Sequence, residues 1–79
     1  MHTVYVLKSL SDGNLYIGCT SDIENRLKLH RSGKVRSTKS RLPVELIYSE
    51  NFTDKYEAFF TERLYKSAKG KRELLKKIK

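Results

Sequence analysis

Two tyrosines in neighbouring apolar segments are the first residues whose type and spacing point to chemistry. Tyr5 lies in the segment 3–7, which is rich in β-branched and aromatic residues, and Tyr16 lies in a second apolar segment, 15–19. Such segments favour strands, in which alternate side chains share a face. Two phenol hydroxyls on one face could line a ligand site. The alternative is that both tyrosines are ordinary sheet aromatics.

The turn between these segments decides whether the tyrosines share a face. The segment 11–14 favours a hairpin because Gly13 accepts a positive φ. A four-residue loop over 10–13 pairs Tyr5 with Gly18, which has no side chain and leaves room for a ligand. A two-residue turn also keeps both tyrosines on one face, whereas a three-residue loop separates them unless a bulge intervenes.

Arg26 and His30 are four residues apart on the first predicted helix and therefore lie on one face. A guanidinium offers a planar fork for phosphate oxygens. Two cationic or hydrogen-donating groups on one face are typical of a phosphate site. The alternatives are a solvated helix face and, because His30 lies close to the apolar stripe of Ile23 and Leu27, a half-buried structural histidine.

Glu62 is the candidate metal ligand on the second predicted helix. That helix has an apolar stripe of residues four apart, with Ala58 and Phe59 beside it: Tyr56, Phe60 and Leu64. Glu62 lies close to these apolar residues, where a carboxylate needs a partner. The partner is either Arg63 or Lys66 on the same helix, or a divalent cation. One carboxylate together with substrate phosphates is a common way to hold Mg²⁺.

The elements that must position these residues follow one another in the order β-β-α-β-α-α. Ser21 and Glu24 form a capping box for the first helix, a basic polar loop follows it, and Gly70 ends the second helix. The predicted strands are 3–7, 15–19 and 44–48, and the predicted helices are 22–32, 55–66 and 72–78. This order predicts one α/β (α+β) domain over residues 1–79, with a small, mostly antiparallel three-stranded sheet flanked by helices.

Length and composition exclude several classes of protein. The 79 residues leave room for one small core, and no apolar run approaches the roughly 20 residues of a membrane span. Cys19 is the only cysteine, which excludes an internal disulfide and a multi-cysteine zinc site. It is expected to be a small core residue, and the protein is expected in the reducing cytoplasm.

The net charge of +8 is concentrated in basic blocks. The segment 26–41 has seven basic residues and no acidic one, and 63–79 has eight basic residues and one acidic one. This pattern favours a nucleic-acid partner over an anionic membrane, and the alternative is a solubilising surface. The residues expected to bind nucleic acid are Lys34, Arg36, Lys39, Arg41 and Lys66.

These residues, taken in order, resemble the GIY-YIG nuclease superfamily. The matching residues and segments are Thr3-Val4-Tyr5, Tyr16-Ile17-Gly18, Arg26, His30, 41–48, Glu57-Ala58, Glu62 and Lys66. The second tyrosine follows the first by eleven residues, and the arginine follows the second tyrosine by ten. The resemblance covers nearly the whole chain, which looks like the small stand-alone bacterial proteins related to the GIY-YIG nuclease domain of the bacterial excinuclease.

The resemblance implies a DNA endonuclease that depends on Mg²⁺ or Mn²⁺. Tyr5 and Tyr16 match the two motif tyrosines, either of which could be the base, and Arg26 matches the arginine at the scissile phosphate. His30 matches a position that is often polar or catalytic, and Glu62 matches the metal-binding glutamate. Because a free phenol has a pKa near 10, we expect Arg26 and the metal ion to favour the tyrosinate.

The chain departs from the family pattern at three places. Thr3 and Val4 replace the first Gly and Ile, Cys19 stands where some family nucleases have a lysine, and no asparagine follows Glu62. Family nucleases usually gain specificity from appended DNA-binding domains, so targeting would come from a protein partner. The rival functions are a non-catalytic nucleic-acid-binding module and a partner domain of a repair assembly.

Overall fold

The computed structural model describes residues 1–78, which form three strands and four helices in the order β-β-α-α-β-α-α. The strands are β1 (His2–Ser9), β2 (Leu15–Thr20) and β3 (Val44–Phe52). The helices are α1 (Ile23–Arg31), α2 (Arg36–Lys39), α3 (Lys55–Lys66) and α4 (Ala68–Ile78). The predicted α+β class with a three-stranded antiparallel sheet is confirmed. None of these helices is long and apolar enough to cross a membrane.

β1 is the central strand of the sheet, which has the order β2-β1-β3 with both pairs antiparallel. The hairpin pairs Tyr5 with Gly18, which confirms the four-residue loop. Gly13 has a φ of 76°, and its N–H donates to the carbonyl of Ser9 at 2.8 Å, closing the loop. Tyr5 and Tyr16 therefore lie on the same face of the sheet.

The two faces of the sheet pack against different helices. Helices α3 and α4 cover one face, and the hydrophobic core there contains Val4, Val6, Ile17, Ala58, Tyr65 and Leu74. Cys19 is half-buried beside this core, as expected for a small apolar residue. Because side chains alternate along a strand, Tyr5 points to the opposite face, where Arg26 and His30 of α1 contact it and Thr38 of α2 contacts His30.

The segment between α1 and β3 contains the short helix α2, whereas the sequence predicted a loop throughout. The carbonyl of Val35 accepts the N–H groups of Thr38 and Lys39, at 3.2 and 2.9 Å, which forms the short helix. Four residues are too few to show an apolar period. β3 also continues past Tyr48 to Phe52, because polar residues there pair with β1.

α1 is capped by Asp22, so the predicted capping box of Ser21 and Glu24 is wrong by one residue. The carboxylate of Asp22 accepts the N–H of Asn25 at 3.2 Å. An aspartate caps a helix as well as a serine does. The N–H of Asp22 donates to the hydroxyl of Thr20 at 3.1 Å, and this bond sets the entry into the helix.

α3 turns a different face to the core than its apolar stripe predicted. The side chains of Tyr56 and Phe60 are 71% and 69% exposed, and Leu64 is also exposed. The buried residues are Ala58 and Tyr65, seven positions and two turns apart. The small side chain at Ala58 lets the helix approach the sheet closely, and the bulky stripe remains on the surface.

Gly70 lies inside α4 and does not end α3, which corrects the predicted helix boundary. α3 ends at Lys66, where the hydroxyl of Ser67 donates to the carbonyl of Leu64 at 2.6 Å. Gly70 is buried, and a Cβ added there would collide with the carbonyl group of Leu64. Glycine is therefore needed for the close packing of α4 against the end of α3.

Candidate active site

The hydroxyl of Tyr5 lies at the centre of a buried polar cluster. Tyr5 has no exposed surface, and its hydroxyl oxygen accepts a hydrogen bond from Nε of Arg26 at 3.3 Å. The same hydroxyl is 3.0 Å from Nε2 of His30. A Cβ added to Gly18 would lie 2.5 Å from Cζ and the hydroxyl oxygen of Tyr5, so glycine leaves the space that the phenol occupies.

Tyr16 and His30 complete the aromatic wall around this hydroxyl. The ring centroid of Tyr16 is 6.3 Å from that of Tyr5 and 5.2 Å from that of His30. The Tyr5 and His30 rings meet edge to face, with centroids 5.7 Å apart. Tyr16 is only half-buried, so it is the tyrosine of this pair that faces solvent.

His30 is fully buried, and both ring nitrogens have hydrogen-bond partners. Nε2 contacts the hydroxyl of Tyr5, and Nδ1 contacts Oγ1 of Thr38 at 2.7 Å. Burial lowers the pKa of His30, and the positive charge of Arg26 lowers it further. The imidazole is therefore neutral at pH 7 and can accept a proton. His30 is therefore neither on a solvated helix face nor half-buried. Its ring is fully buried and hydrogen-bonded through both nitrogens.

Burial raises the pKa of Tyr5 above the ordinary value of 10.0. The hydrogen bond from Arg26 lowers this pKa, but the loss of hydration outweighs it. Arg26 therefore acts in the expected direction, toward the tyrosinate, but burial dominates and Tyr5 is a neutral phenol in the resting protein. Proton loss from Tyr5 needs an acceptor, and the imidazole of His30 is in contact with it.

Glu62 on α3 is paired with Lys66, one turn further along the helix. The two side chains form an ion pair at 2.9 Å, with the glutamate 24% exposed. Glu62 lies within electrostatic reach of the Tyr5 hydroxyl, because its charge contributes to raising the pKa of Tyr5. A cavity of about 350 Å³ beside it is lined by Phe59, Glu62, Arg63 and Lys66.

The donor set at Glu62 fits one class of metal ion. Among residues 1–78, no group of three or more His, Cys, Asp or Glu side chains could enclose a metal. A zinc site needs three or four such ligands. A single carboxylate on a solvent-accessible cavity instead suits Mg²⁺ or Mn²⁺, since these ions keep waters and take further oxygens from a phosphate.

Four of the five residues expected to bind nucleic acid lie in the segment 34–41, which includes α2. Lys34, Arg36 and Lys39 are exposed, and Arg36 and Lys39 belong to the short helix that carries Thr38. Arg41 is half-buried, and its carbonyl accepts the hydroxyl of Ser9 at 2.7 Å. Lys66, the fifth residue expected to bind nucleic acid, is engaged with Glu62.

Thr38 is the member of the cluster that sequence reasoning did not find. It lies eight residues after His30 in a segment predicted to be a loop. Its contact with His30 depends on the fold of α2, which has no periodic signal. A lone threonine among basic residues carries no mark of burial in the sequence, although it has no exposed surface in the structure.

Comparison with known proteins gives one family and a consistent set of relatives. Residues 1–77 match the family model of the GIY-YIG catalytic domain. A UPF0213 protein of Streptococcus agalactiae is 50% identical over 64 residues, which cover 80% of this chain and 72% of that protein. A UPF0213 protein of Lactococcus lactis is 44% identical over 79 residues, or 99% of this chain and 80% of that protein.

A solved structure shows the same fold. The solution NMR structure of a UPF0213 protein from Bacillus halodurans matches with a TM-score of 0.60 and 37% sequence identity. The match covers 95% of this chain and 82% of that one.

Proposed function

Because this chain belongs to the GIY-YIG nuclease family, we propose that it is a divalent-metal-dependent DNA endonuclease that hydrolyses phosphodiester bonds. The observation that carries the proposal is the position of the Tyr5 hydroxyl between Nε of Arg26 and Nε2 of His30. A buried phenol in contact with a neutral imidazole and a guanidinium is suited to moving a proton beside an anionic substrate.

Proton transfer would run from the phenol to the imidazole. His30 accepts the proton of Tyr5 at Nε2, and the resulting tyrosinate accepts a proton from a water molecule. The hydroxide attacks phosphorus, one P–O bond breaks, and the leaving oxygen takes a proton from solvent. The proton on His30 then passes to solvent, which restores the neutral imidazole. No charge or proton is left over at the end of the cycle.

Arg26 would stabilise charge at two stages of this reaction. Its Nε hydrogen bond to Tyr5 remains when the phenol becomes a tyrosinate, and an ionised acceptor strengthens such a bond. The hydrogen bond to Tyr5 also raises the pKa of Arg26, so the guanidinium stays charged. The guanidinium can also donate from its terminal nitrogens to a phosphate oxygen, whose negative charge grows as water attacks.

Glu62 would hold a Mg²⁺ or Mn²⁺ ion through its carboxylate, with water and substrate phosphate as further ligands. When bound, such an ion neutralises charge on the phosphate and its leaving oxygen. For this role Glu62 must leave its ion pair with Lys66, and Lys66 is then available to a DNA phosphate. Nucleases of this family generally depend on a divalent metal.

The basic residues of the segment 34–41 support DNA as the substrate. They also support selection by DNA structure and not by DNA sequence. Lys34, Arg36, Lys39 and Arg41 can contact phosphates, which position a protein on DNA but carry no sequence information. We therefore propose cleavage selected by DNA structure, in cytoplasmic DNA repair or processing. A protein partner would supply targeting.

The rival proposal is a nucleic-acid-binding module without catalysis. Two observations favour it: Glu62 is paired with Lys66, and Tyr5 is a neutral phenol at neutral pH. In a non-catalytic binding module, both features would persist when the protein binds nucleic acid. In the nuclease, DNA phosphates draw Lys66 away and His30 accepts the proton of Tyr5.

Incubation with supercoiled plasmid and with branched DNA separates the two proposals. The nuclease predicts nicking with Mg²⁺ or Mn²⁺ and none in chelator, with DNA binding in both conditions. Binding without nicking under either metal supports the non-catalytic module.

A further inference from the structure

His30 and Thr38 form a buried pair on the side of the imidazole away from Tyr5. Nδ1 of His30 lies 2.7 Å from Oγ1 of Thr38, and neither side chain has exposed surface. The two residues come from separate helices, α1 and α2. The hydroxyl of Thr38 also lies 3.5 Å from the carbonyl oxygen of Val35. A single chain of hydrogen bonds therefore runs from Val35 through Thr38 and His30 to Tyr5.

The available donors and acceptors fix the direction of these bonds. Nε of Arg26 always carries a hydrogen, so the oxygen of Tyr5 accepts it. If the Tyr5 hydroxyl donates to Nε2, the imidazole hydrogen is on Nδ1 and donates to Thr38. The hydroxyl of Thr38 then donates to the carbonyl of Val35. Every hydrogen in this chain of bonds has an acceptor.

The opposite direction leaves a buried donor unpaired. If Thr38 donated to Nδ1, the hydrogen of His30 would be on Nε2 and would point at the oxygen of Tyr5. That oxygen already accepts from Arg26, and the hydroxyl hydrogen of Tyr5 would have no acceptor within residues 1–78. An unpaired buried hydroxyl is unfavourable. The first direction is therefore the stable one.

We propose that Thr38 is a positioning residue that holds His30 in the tautomer with its hydrogen on Nδ1, so that Nε2 is free to accept the proton of Tyr5. This inference rests on the proposed nuclease reaction, and Thr38 acts only through His30. The depressed pKa of His30 is consistent with it, because a neutral imidazole is required.

The threonine hydroxyl suits this task because it accepts one hydrogen bond and donates another. When His30 becomes an imidazolium, Nδ1 still donates to Thr38 and Thr38 still donates to Val35. None of these groups has to rotate during proton transfer, which favours a fast and reversible step. Serine preserves this arrangement, whereas valine keeps the shape of threonine and removes the hydroxyl.

Nitrogen-15 NMR of the full chain tests the tautomer without relying on cleavage. His2→Gln removes the other histidine of the sequence, so the imidazole signals belong to His30. This His2→Gln protein is the parent for the comparison. We expect a protonated Nδ1 and an unprotonated Nε2 in the parent and in Thr38→Ser. In Thr38→Val either tautomer leaves one buried hydrogen without an acceptor, so we expect both tautomers to be populated. A parent with its hydrogen on Nε2, or an unchanged tautomer in Thr38→Val, overturns the proposal.

Cleavage kinetics give the second measurement. We expect Thr38→Val to lower kcat by ~10-fold or more with little change in KM, and Thr38→Ser to stay within about threefold of wild type. Thr3→Val is the matched control, because Thr3 is also buried and its hydroxyl donates to Asn51 at 2.8 Å, away from His30. An equal loss of kcat in Thr3→Val and Thr38→Val contradicts a positioning role.

The proposed nuclease reaction and the proposed role of Thr38 can be refuted independently. If wild type cleaves no DNA but the nitrogen shifts show the Nδ1 tautomer as the dominant form only when a hydroxyl is present at position 38, the reaction is wrong and the role of Thr38 in holding His30 stands. If wild type cleaves DNA and Thr38→Val cleaves equally well, the reaction stands and the proposal for Thr38 is overturned. Should Thr38→Val fail to fold, the tautomer in the parent and in Thr38→Ser decides.

Discussion

The hydroxyl of Tyr5 lies 3.0 Å from Nε2 of His30, with both side chains fully buried beside the central strand of the sheet. Burial raises the pKa of the phenol and lowers that of the imidazole, so both groups are neutral at pH 7. These shifts oppose proton transfer in the resting protein, so transfer from Tyr5 to His30 requires that a substrate phosphate and Arg26 stabilise the imidazolium and the tyrosinate.

The pH dependence of cleavage should follow His30. Its pKa lies below the ordinary value of 6.5, and only the neutral form accepts a proton. We expect the single-turnover nicking rate to be level from about pH 6.5 to 8 and to fall as pH decreases through the depressed pKa. The charged and titratable neighbours are Tyr5, Tyr16 and Arg26, with Glu62 within electrostatic reach of Tyr5. A midpoint above pH 6.5 contradicts the assignment.

The same shift predicts a change in stability with pH. Below pH 6.5 the unfolded chain binds a proton at His30 more readily than the folded one, so stability must fall as pH decreases through the lowered pKa. Urea unfolding at about pH 5 and pH 7 measures the difference in the free energy of unfolding between the two pH values. His30→Gln should reduce the difference, and His2→Gln is the control, since His2 lies outside the cluster. If the free energy of unfolding changed equally between the two pH values in wild type and in His30→Gln, His30 would not be the cause of the pH dependence.

Charge reversal tests the DNA-binding surface. Changing Lys34, Arg36 and Lys39 to Glu should weaken binding to all sequences alike. It should also reduce the salt dependence, by a log–log slope of about 0.9 for each duplex phosphate that the variant no longer neutralises. The control makes the same change in charge on α4, at the exposed residues Lys69, Arg72 and Lys76. Equal weakening by both triple variants would show that only net charge matters.

Glu62→Gln tests the metal ligand. Loss of the ion pair with Lys66 should reduce stability by about 0.3–0.5 kcal/mol, while nicking with Mg²⁺ collapses and DNA affinity in chelator persists. Glu73→Gln is the matched control, because it removes the exposed ion pair with Lys76 on α4. Nicking that survives Glu62→Gln would place the metal elsewhere.

Gly18→Ala tests the space beside the phenol. The added Cβ would lie 2.5 Å from the Tyr5 hydroxyl oxygen, so the ring must move and the free energy of unfolding should fall by about 1–3 kcal/mol. Nicking should fall as well. Gly13→Ala is the control, because its φ of 76° makes alanine unfavourable in an open loop, away from the cluster. It should lower the melting temperature and preserve nicking; a loss of nicking in both variants would attribute the effect to stability.

The parts of the site that depend on local patterns were predictable from the sequence. The alternation of side chains along a strand and the turn at Gly13 place Tyr5 and Tyr16 on one face, and the helical period brings Arg26 and His30 together. Both relationships need only a few neighbouring residues, and the structure contains them.

The remaining features depend on long-range packing. Thr38 reaches His30 only because α2 places its hydroxyl within hydrogen-bond distance of the imidazole, and four residues are too few to show a helical pattern. α3 has more apolar side chains than the sheet can cover. Helical periodicity alone therefore predicted Tyr56 and Phe60 on the buried face, whereas both are exposed. The raised pKa of Tyr5 follows from its complete burial, whereas the charge of Arg26 suggested a shift in the opposite direction.

The most direct measurement is the rate of plasmid nicking with Mg²⁺ by Tyr5→Phe compared with Tyr65→Phe. Both changes remove one hydroxyl from a buried tyrosine, and each should cost about 1 kcal/mol of stability. Tyr65 lies on the other face of the sheet, where its hydroxyl donates to Glu50 at 2.6 Å. We predict a loss of nicking of ~100-fold or more in Tyr5→Phe and wild-type nicking in Tyr65→Phe. Equal nicking by the two variants would contradict a catalytic role for the Tyr5 hydroxyl.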